Sequence, residues 1–319
     1  MKKIISLLVM FVVIIGLVGC SMDKETSTKT DPKAKDNGKL KVGLSMNTLN
    51  NPFFVAVKEG AEAQAKEDKV DLVITDAQND PGKQLSDVEN LLQQNIDVLV
   101  IDPTDSDAIA QAVKKANDAD IPVFTIDRSS NGGEVITHIG FDALKSGNIA
   151  GTFLKDALGG KGNIVEIQGI LGTNVGQLRS KGFNEIMDAN SGFKVVARQA
   201  ANFDRGEAMK VMEDILQANP KIDGVYAAND EMALGALAAI EAAGRLDEIT
   251  LIGCDAIDPS IEAIKAGKLE ATIAEPPFFL GKEAVITAQK ISKKESVEKE
   301  VILDSTLVTK ENVNDVKTK

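Results

Sequence analysis

From Leu40 almost to the end, this chain repeats one rhythm: short apolar runs separated by amphipathic stretches of helical period. The runs read as strands at Lys41-Ser45, Leu72-Thr75, Val98-Ile101, Val123-Ile126, Ile164-Ile167, Val195-Ala197, Gly224-Ala227, Thr250-Gly253 and Thr272-Ala274. Most are apolar at successive rather than alternate positions, the pattern of parallel strands covered on both faces. Between them, Leu85, Val88, Leu91 and Leu92 make one helical stripe, and Val211, Met212, Ile215 and Leu216 another. Asp80-Pro81 supplies a cap and a first-turn proline, Asp204 precedes Glu207 by three, and Asn219-Pro220 stops the helix that follows. Strand-helix alternation of this length predicts an α/β chain of doubly wound parallel sheets.

One sheet of nine or more strands would be strained, and chains of this size divide into domains. The sequence suggests where. Ile96-Asp97-Val98-Leu99-Val100-Ile101-Asp102-Pro103 has a counterpart in Ile222-Asp223-Gly224-Val225-Tyr226-Ala227-Ala228-Asn229-Asp230. Each is an apolar strand ending in acidic or amide residues before an Ala-rich helix. Two similar domains facing a cleft are therefore expected, with ligand outside the carboxyl ends of the strands.

The first twenty residues are of another kind. Lys2 and Lys3 precede an apolar run from Ile4 to Leu17, which ends in Leu17-Val18-Gly19-Cys20. The run suits a signal peptide better than a membrane span of ~20 residues. The small residues before Cys20 match a lipobox, so residues 1–19 read as signal peptide and Cys20 as the lipidated first residue of the mature chain. Residues 20–39, polar and rich in Ser, Thr, Lys and Asp, read as a tether. Durable anchoring takes more than one acyl chain, as bacterial lipoproteins carry. The chain is then expected outside the cytoplasm, on the outer face of the cell membrane. Cys254 is the only other cysteine, so no disulfide can form within the mature chain. The formal charge of -12 argues against nucleic acid and against lying flat on anionic lipid.

The residues just after the strands are chemically coherent. Asn51, Phe53 and Phe54 follow the first strand, Asp127 and Arg128 the fourth, Asn229 the strand ending at Ala227, Asp255 the next and Glu275 the last. Arg179 lies in a helix opened by Gly172-Thr173-Asn174, and Phe203 precedes the Asp204 cap. Carboxylates, amides and guanidinium groups can serve vicinal hydroxyls, and phenyl rings can cover C–H faces, as a sugar requires. Each residue also has an ordinary role open to it: Phe53 and Phe54 in core packing, Asp127-Arg128 as a surface ion pair, Asn229 as a helix cap. Their common position at one end of the strands favours a binding site.

Those residues also carry a resemblance. Thr48-Leu49-Asn50-Asn51-Pro52-Phe53-Phe54, Asp102-Pro103-Thr104-Asp105-Ser106-Asp107, Ile126-Asp127-Arg128, Phe203-Asp204-Arg205 and Asn229-Asp230-Glu231-Met232-Ala233-Leu234-Gly235-Ala236 resemble the ribose-binding proteins of bacterial ABC importers, from about Leu40 to Thr309. The resemblance implies the type I periplasmic-binding fold, two Rossmann-like domains joined by three crossing segments near Phe141, Glu275 and Asp304. It divides the chain into a subdomain of 40–141 plus 276–304 and one of 142–275 plus 305–319. It implies hydrogen bonds to ribose from Asn51, Asp127, Arg128, Arg179, Asn229 and Asp255, with Phe53, Phe54 and Phe203 against the ring. Glu275 stands where the family usually has Gln, and Cys254-Asp255-Ala256 where it usually has Phe-Asp-Gly. Ribose, or a related sugar such as allose, xylose or galactose, is the expected ligand. The expected partners are an ABC permease and ATPase, or alternatively a chemoreceptor or sensor kinase. The chain is expected to act as a monomer, without cofactor or metal, and not as an enzyme. A repressor of the same fold would need a helix-turn-helix where this chain has its leader.

Other features read plainly. His138, without clustered Cys, makes no metal site. Gly159-Gly160-Lys161-Gly162-Asn163 lacks phosphate-loop spacing and reads as a turn. Cys254 reads as an inert thiol.

Overall fold

The computed structural model describes residues 38–316; the leader, Cys20 and all but the end of the tether lie outside them. The described strands form two six-stranded sheets. The first contains β1 (Lys41–Met46), β2 (Asp71–Asp76), β3 (Val98–Ile101), β4 (Val123–Ile126), β5 (His138–Phe141) and β11 (Glu300–Leu303), in the order β11-β5-β4-β3-β1-β2. The second contains β6 (Gly162–Gln168), β7 (Phe193–Ala200), β8 (Gly224–Ala227), β9 (Thr250–Ile252), β10 (Ala271–Ala274) and β12 (Thr306–Thr309), in the order β12-β10-β9-β8-β6-β7. The winding is the same in both, so the repeat seen in sequence is a repeat of topology. Each sheet reverses its winding where β1 meets β3 or β6 meets β8, the point at which such sheets open a ligand crevice.

All pairs are parallel except β10 with β12, which run antiparallel. That strand, with β5 and β11, is absent from the strands expected in sequence. The reason is physical: β11 and β12 are four-residue edge strands, only partly buried and paired on one side alone, to strands far away in sequence. The central strands β3, β4 and β8 are buried at every position, as their unbroken apolar runs require.

Three segments cross between the sheets. The chain leaves the first sheet after Phe141 and enters α4 (Ala143–Ala157). It returns after Ala274 through α9 (Pro277–Ser292), and crosses last at Asp304-Ser305, between β11 and β12. Helix α4 packs on α5 (Asn174–Asp188) of the second lobe, and α9 on α1 (Pro52–Asp68) of the first. The α4–α5 contact is backbone-close. A Cβ on Gly147 would stand 2.1 Å from the Arg179 carbonyl oxygen, and one on Gly182 2.1 Å from that of Leu144. Glycine at both positions thus fixes how deeply α5, which carries Arg179, sits.

Each lobe has its own core. In the second, Tyr226 stacks on Phe183 with ring centroids 4.5 Å apart, within a cluster that includes Ile164, Ile167, Met212, Leu251 and Ile273. In the first, Leu44, Val100, Phe124 and Ile126 pack with Val57 and Leu280, and Leu99, Ile101 and Val113 form a separate cluster. Burying each such side chain contributes about 1.5–3 kcal/mol. With no disulfide in the described residues, these cores carry the fold.

A polar cavity at the junction of the lobes

The carboxyl ends of both sheets meet at a cavity lined by Asn51, Phe53, Phe54, Asp127, Arg128, Val175, Arg179, Phe203, Asn229 and Asp255. From the first lobe, Asn51 caps α1, its Oδ1 accepting from the Phe53 N–H at 2.9 Å. In the second, Asn229 caps α7 (Asp230–Ala242), its Oδ1 accepting from the Met232 N–H at 2.9 Å. The helix-capping role and the cavity position coexist, with a chemical consequence. Each amide oxygen is committed to a helix N-terminus, so each side chain offers its Nδ2 donors.

Asp127 follows β4 at φ +54°, in the left-handed region. Its N–H donates to the Ile139 carbonyl at 2.9 Å, and the Arg128 N–H closes a tight turn on the Ile126 carbonyl at 2.5 Å. Arg128 is 2% exposed. Its Nη1 donates to the Pro103 carbonyl at 3.2 Å, and its Nε, 3.7 Å from Asp127 Oδ2, has no hydrogen-bond partner. The guanidinium carbon lies 5.3 Å from the Phe54 ring centroid and 5.4 Å from that of Phe203, so rings from both lobes bracket the cation. Phe53 meets Phe54 edge-on at 5.2 Å. Phe203, at φ +59°, swings over Gly169, where a Cβ would stand 2.1 Å from the ring.

Arg179 donates from Nη1 to the Ala228 carbonyl at 2.7 Å, and from Nη2 to Glu275 Oε2 at 2.5 Å and to Asp255 Oδ1 at 3.5 Å. Its buried Nε, like that of Arg128, has no hydrogen-bond partner. Asp255 follows β9 at φ +123°, and the next residue, Ala256, is at φ +57°. Asp230 braces this turn, accepting from the Thr272 hydroxyl at 2.7 Å and from the Ile257 N–H at 3.1 Å. Non-glycine residues at such dihedrals cost of order 1–3 kcal/mol each, and they gather where a site demands them. Here Asp127, Phe203 and Asp255 all line the cavity.

Burial dominates the electrostatics. It raises the Asp127 carboxyl, with Arg128 and Arg179 pulling the other way and Glu275 adding to the rise. It raises Asp255 well above the usual carboxylate range against the pull of Arg179. Asp230, also pushed up by burial, stands at about 7 despite its hydrogen bonds. Burial opposes the charge on Arg179, but the surrounding groups, Glu275 and Asp255 among them, outweigh it and keep the guanidinium protonated.

Nine of the ten residues singled out in sequence thus line one cavity. Glu275 does not. It is 1% exposed and stands behind Arg179. Sequence reasoning missed Val175, although its place four residues before Arg179 puts both on one face of α5. Cys254 Sγ and carboxylate oxygens of Asp255 and Glu275 lie within 4.8 Å of one another, the sole potential metal-ligand trio among the described residues. Arg179 already takes both carboxylates, and burial raises the Cys254 thiol, so a cation there would have to displace a guanidinium. His138 lies away from the cavity, its Nδ1 2.9 Å from the Thr125 hydroxyl oxygen. Gly159 and Gly160 form the turn after α4.

The lobes also touch directly. The Ser106 N–H donates to the Gly172 carbonyl at 3.0 Å, the Asn174 N–H to the Ser106 hydroxyl at 3.2 Å, and the Ser129 N–H to Asn174 Oδ1 at 3.0 Å.

Residues 42–296 match the model of the periplasmic binding protein domain. The chain belongs to that family. It is 42% identical over 302 residues to the ribose import binding protein RbsB of Bacillus subtilis (strain 168), covering 94% of this chain and 97% of the relative. An ABC transporter solute-binding protein from Bacillus halodurans C-125, solved with myo-inositol, superposes with a TM-score of 0.84 at 33% identity, covering 88% of this chain and 98% of that one. A periplasmic solute-binding protein from Actinobacillus succinogenes 130z, solved with D-allose, gives 0.82 at 32% identity, covering 87% and 100%. These relatives are solute-binding proteins, and this chain has the type I periplasmic-binding fold of that family.

Proposed function

We propose that this chain is the extracytoplasmic sugar-binding component of an ABC importer, with D-ribose as its ligand. The observation that carries the reading is the cavity lining, in which carboxylates, amide donors, two guanidinium groups and phenyl faces converge from both lobes. Asp127 and Asp255 would accept from ring hydroxyls. The Nδ2 groups of Asn51 and Asn229 and the partnerless Nε atoms of Arg128 and Arg179 would donate. Phe53, Phe54 and Phe203 would cover the apolar faces. The 42% identity to a ribose import binding protein supports ribose over other sugars.

Subdomains 40–141 plus 276–304 and 142–275 plus 305–319 would open about the three crossings. A sugar that touches both favours the closed state by its differential affinity, and a permease would read closure. The mature chain would be a monomer held at the membrane by lipidated Cys20. Calorimetric titration with ribose, allose, xylose, galactose and myo-inositol tests the reading. One ribose per chain, bound more tightly than the others and unaffected by chelator, is expected. Tighter binding of allose or inositol would reassign the sugar, and no binding of any member would overturn the reading.

A further inference from the structure

The direct hydrogen bonds between the lobes converge on the first turn of α5, outside the cavity lining. Helix α5 begins at Asn174, and the first N–H groups of a helix have no partner within it. Thr173, from the same lobe, caps one of them, its hydroxyl accepting from the Gly176 N–H at 3.1 Å. The N–H of Asn174 itself finds its acceptor in the other lobe, the Ser106 hydroxyl at 3.2 Å. Ser106 in turn donates its own N–H to the Gly172 carbonyl at 3.0 Å. The Asn174 side chain adds a third bond, its Oδ1 accepting from the Ser129 N–H at 3.0 Å. The approach is close. A Cβ on Gly172 would stand 2.1 Å from Asp105 Oδ2, and Asp105 Oδ1 holds its own turn by accepting from the Asp107 and Ala108 N–H groups.

These bonds sit where opening must break them. The first two crossings leave from β5 and β10, next to the sheet edges formed by β11 and β12. Ser106 follows β3, two strands in from β5, and Asn174 follows β6, three in from β10. At ~4.8 Å per strand the contact stands on the order of 10–15 Å from the crossings, and a hydrogen bond is lost beyond ~3.5 Å. Ser129 is the residue after Arg128, and Asn174 shares α5 with Arg179. The contact therefore ties together the two elements that bring a guanidinium to the cavity, one from each lobe.

Resting on the sugar-binding reading above, we propose that Asn174 is a positioning residue for closure: with Ser106 and Ser129 it forms a latch across the cleft that exists only while the lobes are shut, and the latch sets how long a bound sugar is held. The sugar stabilises the closed state through its own contacts with both lobes, and the latch adds to that stability from outside the cavity. Neither Ser106 nor Asn174 lines the cavity, so the latch holds any ligand that lets the lobes shut. Its loss weakens every such ligand by the same factor, whereas the loss of a lining residue changes the ranking of sugars. Water replaces each bond on opening, so one bond is worth roughly a threefold to tenfold change in the closed population.

The test compares Asn174→Ala, Ser106→Ala and Asn174→Asp with the unmodified full chain. Spin labels, one on an exposed position of each lobe, report inter-lobe distances without sugar, and stopped-flow binding reports ribose association and release. Both alanine variants are expected to lower the short-distance population and to speed ribose release roughly threefold to tenfold, with association changed less. Affinities for ribose and allose should fall by the same factor. Asn174→Asp keeps the acceptor for Ser129, beside a helix N-terminus that favours negative charge, and is expected to restore the unmodified values. Sugar-free distances that match the unmodified chain in both alanine variants overturn the latch, whatever the affinities do, and so does an unchanged release rate. If the unmodified chain binds none of the sugars, the function reading falls, and the sugar-free distances still decide whether the latch exists.

Discussion

Replacing Arg179 by methionine removes the one cation placed between two buried carboxylates. The side chain is 4% exposed, Glu275 2% and Asp255 5%, so water cannot take over the lost interactions without entering the core. The substitution strands Glu275 Oε2, formerly 2.5 Å from Nη2, and frees the Ala228 carbonyl, which accepted at 2.7 Å. Removing one member of a buried ion pair costs about 3–5 kcal/mol. For a chain of this length that corresponds to a fall in Tm on the order of 10 °C at pH 7. The loss should depend on pH in a definite direction. Asp255 is already raised by burial, and Arg179 is what pulls it down. Without Arg179 its folded value rises further above the unfolded value near ~4. The folded variant then retains a proton that the unfolded chain releases, so stability returns as pH falls toward that unfolded value and is lost as pH rises through the folded one. Differential scanning calorimetry of Arg179→Met and the unmodified chain between pH 5 and 8, without sugar, measures both effects. A Tm gap of less than 3 °C at pH 7, or a variant Tm that does not rise from pH 8 toward pH 5, would refute the buried ion-pair network on which this reasoning stands.

Asp127→Asn keeps a residue tolerant of the left-handed turn but exchanges an acceptor for a donor. Ribose affinity should fall at least tenfold by calorimetry, with the circular dichroism spectrum unchanged. Ala256→Gly should raise Tm by a few degrees, because alanine at φ +57° carries roughly 1–2 kcal/mol of left-handed strain that glycine does not. His138, lowered by burial to about 4, should stay neutral in an NMR titration down to that pH. Its contribution to stability is complete above the unfolded value of about 6.5 and is lost as pH falls from there through 4.

The local signals in the sequence were enough to fix much of this molecule, because they depend on neighbours in the chain. Unbroken apolar runs marked β3, β4 and β8, since a strand buried on both faces has no polar position to spare. Asp80, Asp204 and Asn219 marked helix ends, since a short side chain beside free N–H groups, or a residue before proline, acts within one turn. The strand ends also named seven of the cavity-lining residues, because in a doubly wound sheet every carboxyl end faces the same crevice. What depended on distant parts of the chain stayed hidden. The edge strands β11 and β12 are ordered by pairing with β5 and β10, residues far away in sequence, and not by their own short, partly exposed runs. Val175 looked like any first-turn apolar residue until α5 was seated on α4. Glu275 is the clearest case. Its sequence position after a strand matches the other cavity residues. Only the convergence of three crossings turns its carboxylate inward, to the Ser146 and Ser305 hydroxyls and the back of Arg179. A carboxylate faces whichever donors the tertiary fold brings to it, and no spacing along the chain records which those are.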